Sequence, residues 1–97
     1  MLNQTTPAQV TLELSVRNHP GVMSHVCGLF ARRAYNVEGI LCMPLPGGQQ
    51  SRIWLLVQDD QRLPQMISQV EKLEDILAVR RHGAEMQIFS QVAEFYR

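Results

Sequence analysis

Asn18-His19-Pro20-Gly21-Val22 is the stretch whose residue types and spacing best suit binding chemistry. An amide side chain precedes a Pro-Gly pair, and a run with helical periodicity follows. The first N–H groups of a helix lack intrahelical acceptors, and the helix dipole adds partial positive charge there. Gly21 has no Cβ, so a ligand can approach its backbone closely. Such a junction suits a carboxylate. The same residues also admit a structural reading, in which Asn18 caps the helix and Pro20-Gly21 only turns the chain.

A second amide, Asn36, closes the helical run. The two ends of such a helix lie roughly 20 Å apart at about 1.5 Å per residue, so one chain cannot put both amides on one small ligand. A side-by-side twofold dimer can, because it sets the end of one helix near the start of its mate.

Catalytic chemistry finds little footing. His25 and Cys27 are two apart on a helix, face different directions and do not make a nucleophile–base pair. Cys27 and Cys42 have no framework spacing and read as reduced, small, buried side chains. No CxxC, HxxxH or carboxylate cluster offers metal-ligand spacing. Glu71, Glu74 and Asp75 read as a solvated helix end. Trp54 is expected to pack on a sheet or at a subunit contact rather than stack a base.

The elements that position the junction follow from periodicity. Val10 to Val16 alternates apolar and polar, the pattern of a strand with one wet face. Gly21 to Tyr35 switches to helical spacing with Val22, Val26, Leu29 and Phe30 on one stripe, and Arg32 and Arg33 suit its last turn. Asn36 to Pro44 is a second short strand, and "PLPGGQQ" is a turn. Arg52 to Val57 is apolar enough to be central.

Asp59 and Asp60 are placed to cap a second helix with the stripe Leu63, Met66, Ile67, Val70 and Leu73, and Pro64 sits in its first turn. Ile76 to Arg81 is the fourth strand. The order β-α-β-β-α-β is that of an α+β, ferredoxin-like domain: a four-stranded antiparallel sheet with two helices on one face. Residues 83–97 form a tail in which Ile88, Phe89, Val92, Phe95 and Tyr96 recur at helical spacing. A helix that short is marginal alone, so it is expected to dock. Residues 1–8 are expected to be a flexible N-terminus before a domain at 9–82.

Composition bounds the function classes. The 97 residues make one domain, 45% hydrophobic, with nine basic and nine acidic side chains. That balance disfavours a nucleic-acid partner, which would call for a basic face. No segment resembles a signal peptide or reaches the roughly 20 apolar residues of a membrane span, so a cytoplasmic address is expected.

"VTLELSVRNHPGVMSHVCGLFARRAYNVEGI", "RIWLLVQDD" and "QVEKLEDILAVRR" together resemble the ACT domain of acetohydroxyacid synthase (acetolactate synthase) regulatory subunits. The resemblance covers about residues 9 to 82. The short length is similar to the small subunits of the bacterial isozyme I branch, whereas the other common type carries a second C-terminal domain. The resemblance implies a non-catalytic regulatory subunit that binds and activates a catalytic large subunit and confers feedback inhibition by valine. It places thiamine diphosphate, magnesium and FAD in that partner and no cofactor in this chain.

It also implies a homodimer with valine at the interface. Asn18, His19, Pro20, Gly21, Val22 and Met23 would form one half of the site, and Asn36, Val37 and Ile40 of a second chain the other. The N–H groups of Gly21 to Met23 would hold the carboxylate, and Val22, Val37 and Ile40 the isopropyl group. His19-Pro20 stands where other members carry acidic and small polar residues, and a pocket rejects an extra methylene by only about 1–3 kcal/mol, so the resemblance leaves the selectivity for valine over leucine and isoleucine open. The competing reading is a ligand-independent dimerisation and docking module.

Overall fold

A computed structural model describes residues 8–83 and 86–96. The expectation for residues 1–7 lies outside the described residues. The elements run β1 (Gln9–Arg17), α1 (Val22–Arg32), β2 (Val37–Pro44), β3 (Gln50–Gln58), α2 (Leu63–Glu71), β4 (Ile76–His82) and α3 (Ile88–Phe95). The four strands form one sheet in the order β2-β3-β1-β4, and every neighbouring pair is antiparallel. This is the expected ferredoxin-like arrangement.

The alternation of β1 sets which side chains face the helices, although the other face is not wet throughout, since Thr11 on it is also buried. Val10, Leu12, Leu14 and Val16 are buried and face α1 and α2 together with Ile53, Leu55 and Val57 of β3. Leu12 pairs with Leu55 and Leu14 with Ile53, so the two central strands present one continuous apolar face. Onto it α1 lays Val22, Val26, Leu29 and Phe30, and α2 lays Leu63, Met66 and Val70. Helix α1 stops at Arg32, short of Tyr35, because Ala34 takes a left-handed φ of 53°. That reversal drops Tyr35 back into the core, where its ring meets Phe30 edge-on at 5.9 Å.

Helix α2 is not capped by a side chain in the way Asp59 and Asp60 predict. Asp60 Oδ1 accepts the N–H of Arg62 at 2.8 Å, one residue before the helix begins, while Asp59 pairs with Arg81 at 2.7 Å.

Both cysteines are exposed, against expectation. Cys27 follows buried Val26 by one residue, a rotation of about 100° that turns it off the core stripe. Cys42 shares the helix-side face with Ile53, but β2 is the edge strand and neither helix reaches across it. Partial burial pushes the Cys42 thiol pKa up, the opposite of nucleophile activation.

The other face of the sheet carries Thr11, Glu13, Arg52, Trp54 and Leu56. Trp54 is half-buried there, packed on the sheet as expected. Glu13 bridges two strands: its carboxylate lies 2.8 Å from His82 Nε2 and 3.2 Å from Arg52 Nε. Helix α3 lies over the other end of this face, with Phe89 against Gly39 and Leu56. Two helices therefore cover one face and the third caps part of the other.

Candidate functional site

The strand-to-helix junction is a tight turn. The carbonyl of His19 accepts the N–H of Val22 at 3.1 Å, with Pro20 and Gly21 between them. Gly21 has φ 94° and ψ −7°, the values of the third residue in a type II turn. Pro suits the second position because its ring presets φ, and Gly the third because only it takes that φ without strain.

Asn18 is not the helix cap. Gly21 occupies the cap position and no side chain bonds there. Asn18 Nδ2 instead donates to the carbonyl of Gly48 at 2.9 Å, and its backbone N–H donates to the carbonyl of Gln49 at 3.0 Å. The residue ties the end of β1 to the β2–β3 turn. Its Oδ1 has no donor among the described residues.

The turn decides which N–H groups are available. Val22 is committed to His19, and His25 donates to Gly21 at 3.0 Å. Among the described residues no acceptor meets the N–H groups of Gly21, Met23 or Ser24. Of the expected trio, the Gly21 and Met23 N–H groups are open and that of Val22 is engaged inside the turn, while Ser24 adds a further open one. The Val22 side chain belongs to the core.

His19 is held from the far side. Its Nδ1 lies 3.5 Å from a carboxylate oxygen of Asp75, an ion pair when the imidazole is protonated. Asp75 is therefore not the freely solvated helix end the sequence implied. An open depression of about 660 Å³ is lined by Arg17, Asn18, His19, Gly48 and Leu77. Gly48, at φ 75°, and Asp75 are site neighbours that sequence reasoning missed. Each comes from an element distant in the chain.

Within one chain the structure does not bring Asn36 to Asn18. The 11 residues of α1 separate them, a rise of roughly 16 Å. Asn36 is exposed at the start of β2, Val37 is half-buried against the core, and Ile40 is 37% exposed on the edge strand. Asn18 bonds near the opposite end of β2, at the turn after Pro44. Antiparallel pairing of β2 with a second β2 would set the start of one against the turn end of the other.

Four likenesses to known proteins bear on this architecture. A profile described as "AHAS small subunit-like ACT domain" matches residues 12–78. The chain is 59% identical over 96 residues to the acetolactate synthase isozyme 1 small subunit of Escherichia coli K12, covering 99% of this chain and 100% of that one. It is 36% identical over 70 residues to a probable acetolactate synthase small subunit of Archaeoglobus fulgidus, covering 71% of this chain and 44% of that one. The crystal structure of the Thermotoga maritima acetolactate synthase small subunit superposes with a TM-score of 0.68 at 31% identity, covering 75% of this chain and 46% of that one. The turn, the helix it opens and the sheet behind them lie within the matched region, and the chain belongs to the acetolactate synthase small-subunit family, built on an ACT domain.

Proposed function

We propose that this chain is a regulatory subunit of acetohydroxyacid synthase that binds and activates the catalytic large subunit and confers feedback inhibition by valine. Valine binds between two copies of the chain. The observation that carries this reading is the type II turn at His19–Val22, which leaves three helix-start N–H groups without acceptors beside the Asn18 amide. In the dimer those N–H groups hold the valine carboxylate. Asn18 Oδ1 and Asn36 of the second chain accept from the ammonium, and Val37 and Ile40 of the second chain meet the isopropyl group.

The edge position of β2 supports the dimer. Ile40 and Cys42 point to the helix side yet stay uncovered, and Met43, 59% exposed, flanks them on the other side. An unpaired, partly apolar edge is a template for a second copy of the same strand. Among the described residues no helix is long and apolar enough to cross a membrane, and no group of His, Cys, Asp and Glu forms a metal site. The chemistry belongs to the large subunit, with its thiamine diphosphate, magnesium and FAD.

Valine regulates by binding the inhibited state of the holoenzyme more tightly than the active one, since equal affinity would shift nothing. The test is the thermal midpoint of the chain across a panel of amino acids. Valine at about 100 times its dissociation constant adds roughly 2.7 kcal/mol, a shift of several degrees for a domain this size. Valine should raise the midpoint, leucine less, serine and glutamate not at all. Loss of the shift in Asn36→Ala, with the unliganded midpoint unchanged, would assign that amide to the site. A shift that survives in Asn36→Ala would remove it.

A further inference from the structure

A second cleft lies at the other end of α1. Arg32, Arg33 and Tyr35 from the end of that helix face Arg62, Gln65 and Met66 from the start of α2 across a cavity of about 260 Å³. Three arginines thus line one cavity in a chain whose formal charge is zero. Asp60 lies 3.4 Å from the Arg62 guanidinium and is already shared with the hydroxyl of Tyr35. Among the described residues, Arg32 and Arg33 have no acidic partner.

The helix dipole accounts for part of this arrangement. Arg32 and Arg33 stand at the C-terminal end of α1, where cations are favoured. Arg62 stands at the N-terminal end of α2, where a cation is disfavoured. It is nonetheless held in place: its guanidinium stacks 4.6 Å from the centre of the Tyr35 ring, and its Nη1 donates to the Arg33 carbonyl at 3.3 Å. Three like charges with Asp60 as the one acidic neighbour repel on balance, and fixing Arg62 by stacking removes its freedom to move away.

We propose that this cleft binds a small anion carrying a phosphate group. Guanidinium forks match phosphate oxygens bidentately, and three of them around one cavity suit a multiply charged anion better than one carboxylate. The first turn of α2 adds to this, because the Gln65 N–H has no acceptor among the described residues. Met66 supplies an apolar wall beside the charged groups. The cleft is separated from the His19–Val22 turn by the length of α1, so this inference stands whether or not that turn binds valine.

The probes are inorganic phosphate and pyrophosphate, added to the whole chain at fixed ionic strength, with and without saturating valine. Pyrophosphate should raise the thermal midpoint and perturb the arginine Nε–Hε NMR signals, more strongly than phosphate does. The double variant R32Q/R33Q should move the unliganded midpoint by no more than a few degrees, since it loses a helix-end charge interaction and no ion pair, and should bind pyrophosphate at least about tenfold more weakly. R62K keeps the charge but loses the fork and the stacking plane, and should also weaken binding. The proposal is overturned if pyrophosphate up to roughly 10 mM leaves the wild-type midpoint unchanged, or raises it equally in R32Q/R33Q. It is also overturned if the arginine variants alter only salt-dependent association with the catalytic subunit. In that case the cleft is a patch for acidic side chains of a protein.

Discussion

Asn18 Nδ2 donates to the carbonyl of Gly48 at 2.9 Å, joining positions 30 residues apart. The bond spends the amide's donor on the β2–β3 turn and leaves the acceptor to a ligand. Asn18→Asp tests the donor half by itself, because a carboxylate oxygen accepts but cannot donate to the Gly48 carbonyl. Asn18→Asp and Asn18→Ala should each lower stability by about 0.5–1.5 kcal/mol, a few degrees in midpoint, but only Asn18→Ala removes the acceptor and should abolish the valine-induced shift. Thermal unfolding with and without valine reads both effects. A full valine shift in Asn18→Ala would take Asn18 out of the site.

Much of this fold was legible because its period-2 and period-3.6 patterns do not overlap. Val10 to Val16 alternates, the α1 stripe ends up buried, and of the α2 stripe Leu63, Met66 and Val70 are buried while Ile67 and Leu73 are partly buried against them. The Pro-Gly turn was equally readable, since Pro and Gly each fit one position of a type II turn. The role of Asn18 was not readable, because capping is a local property and its real partner sits in a turn 30 residues away. The expected burial of Cys42 failed for a related reason. An apolar position in a strand is buried only if a helix reaches that strand, and the sheet order puts β2 at the edge. Arg62 is illegible in the same way: nothing in the sequence brings it onto the Tyr35 ring.

Ile40 lies uncovered on the helix side of the edge strand, 37% exposed. A charge there should cost the isolated fold little, since the side chain is not part of the core, but should oppose pairing of two β2 edges. Ile40→Asp is therefore expected to be folded and monomeric by sedimentation and to lose its valine response. A dimer that persists in Ile40→Asp would place the interface elsewhere.

Gly39 marks where α3 touches the sheet. A Cβ there would stand 2.9 Å from Phe89 Cε1 and 3.3 Å from Leu56 Cβ. Phe89 belongs to an eight-residue helix that is too short to hold alone. Gly39→Ala should leave β1, β3 and the two larger helices protected and release α3 from the face. Hydrogen exchange at residues 88–95 should accelerate, as it should in Phe89→Ala. Unchanged protection there would mean that contacts other than Phe89 on Gly39 hold the helix.

Tyr35 and Asp60 set opposite pH limits on stability. Burial pushes the Tyr35 phenol pKa up, and the nearby Asp60 charge adds to the rise, while its O–H donates to the Gln58 carbonyl and to Asp60. A group whose folded pKa is raised contributes stability that is complete below its unfolded value, about 10 for Tyr, and lost as pH climbs through the folded value. For Asp60, desolvation pushes the pKa up, but the Arg62 backbone N–H, the Tyr35 hydroxyl and the Arg62 charge outweigh it and hold the carboxyl below its usual value. Its contribution is present above the unfolded value, about 4, and lost as pH falls through the folded one. Midpoints measured across this range should be flat near neutrality and decline on both sides. Tyr35→Phe should flatten the alkaline decline at a cost of about 1 kcal/mol for the lost hydrogen bonds. Asp60→Asn should flatten the acid decline and also shrink the alkaline one, because the charge that helps raise Tyr35 is gone. An alkaline decline of full size in Tyr35→Phe would assign that limb to other groups.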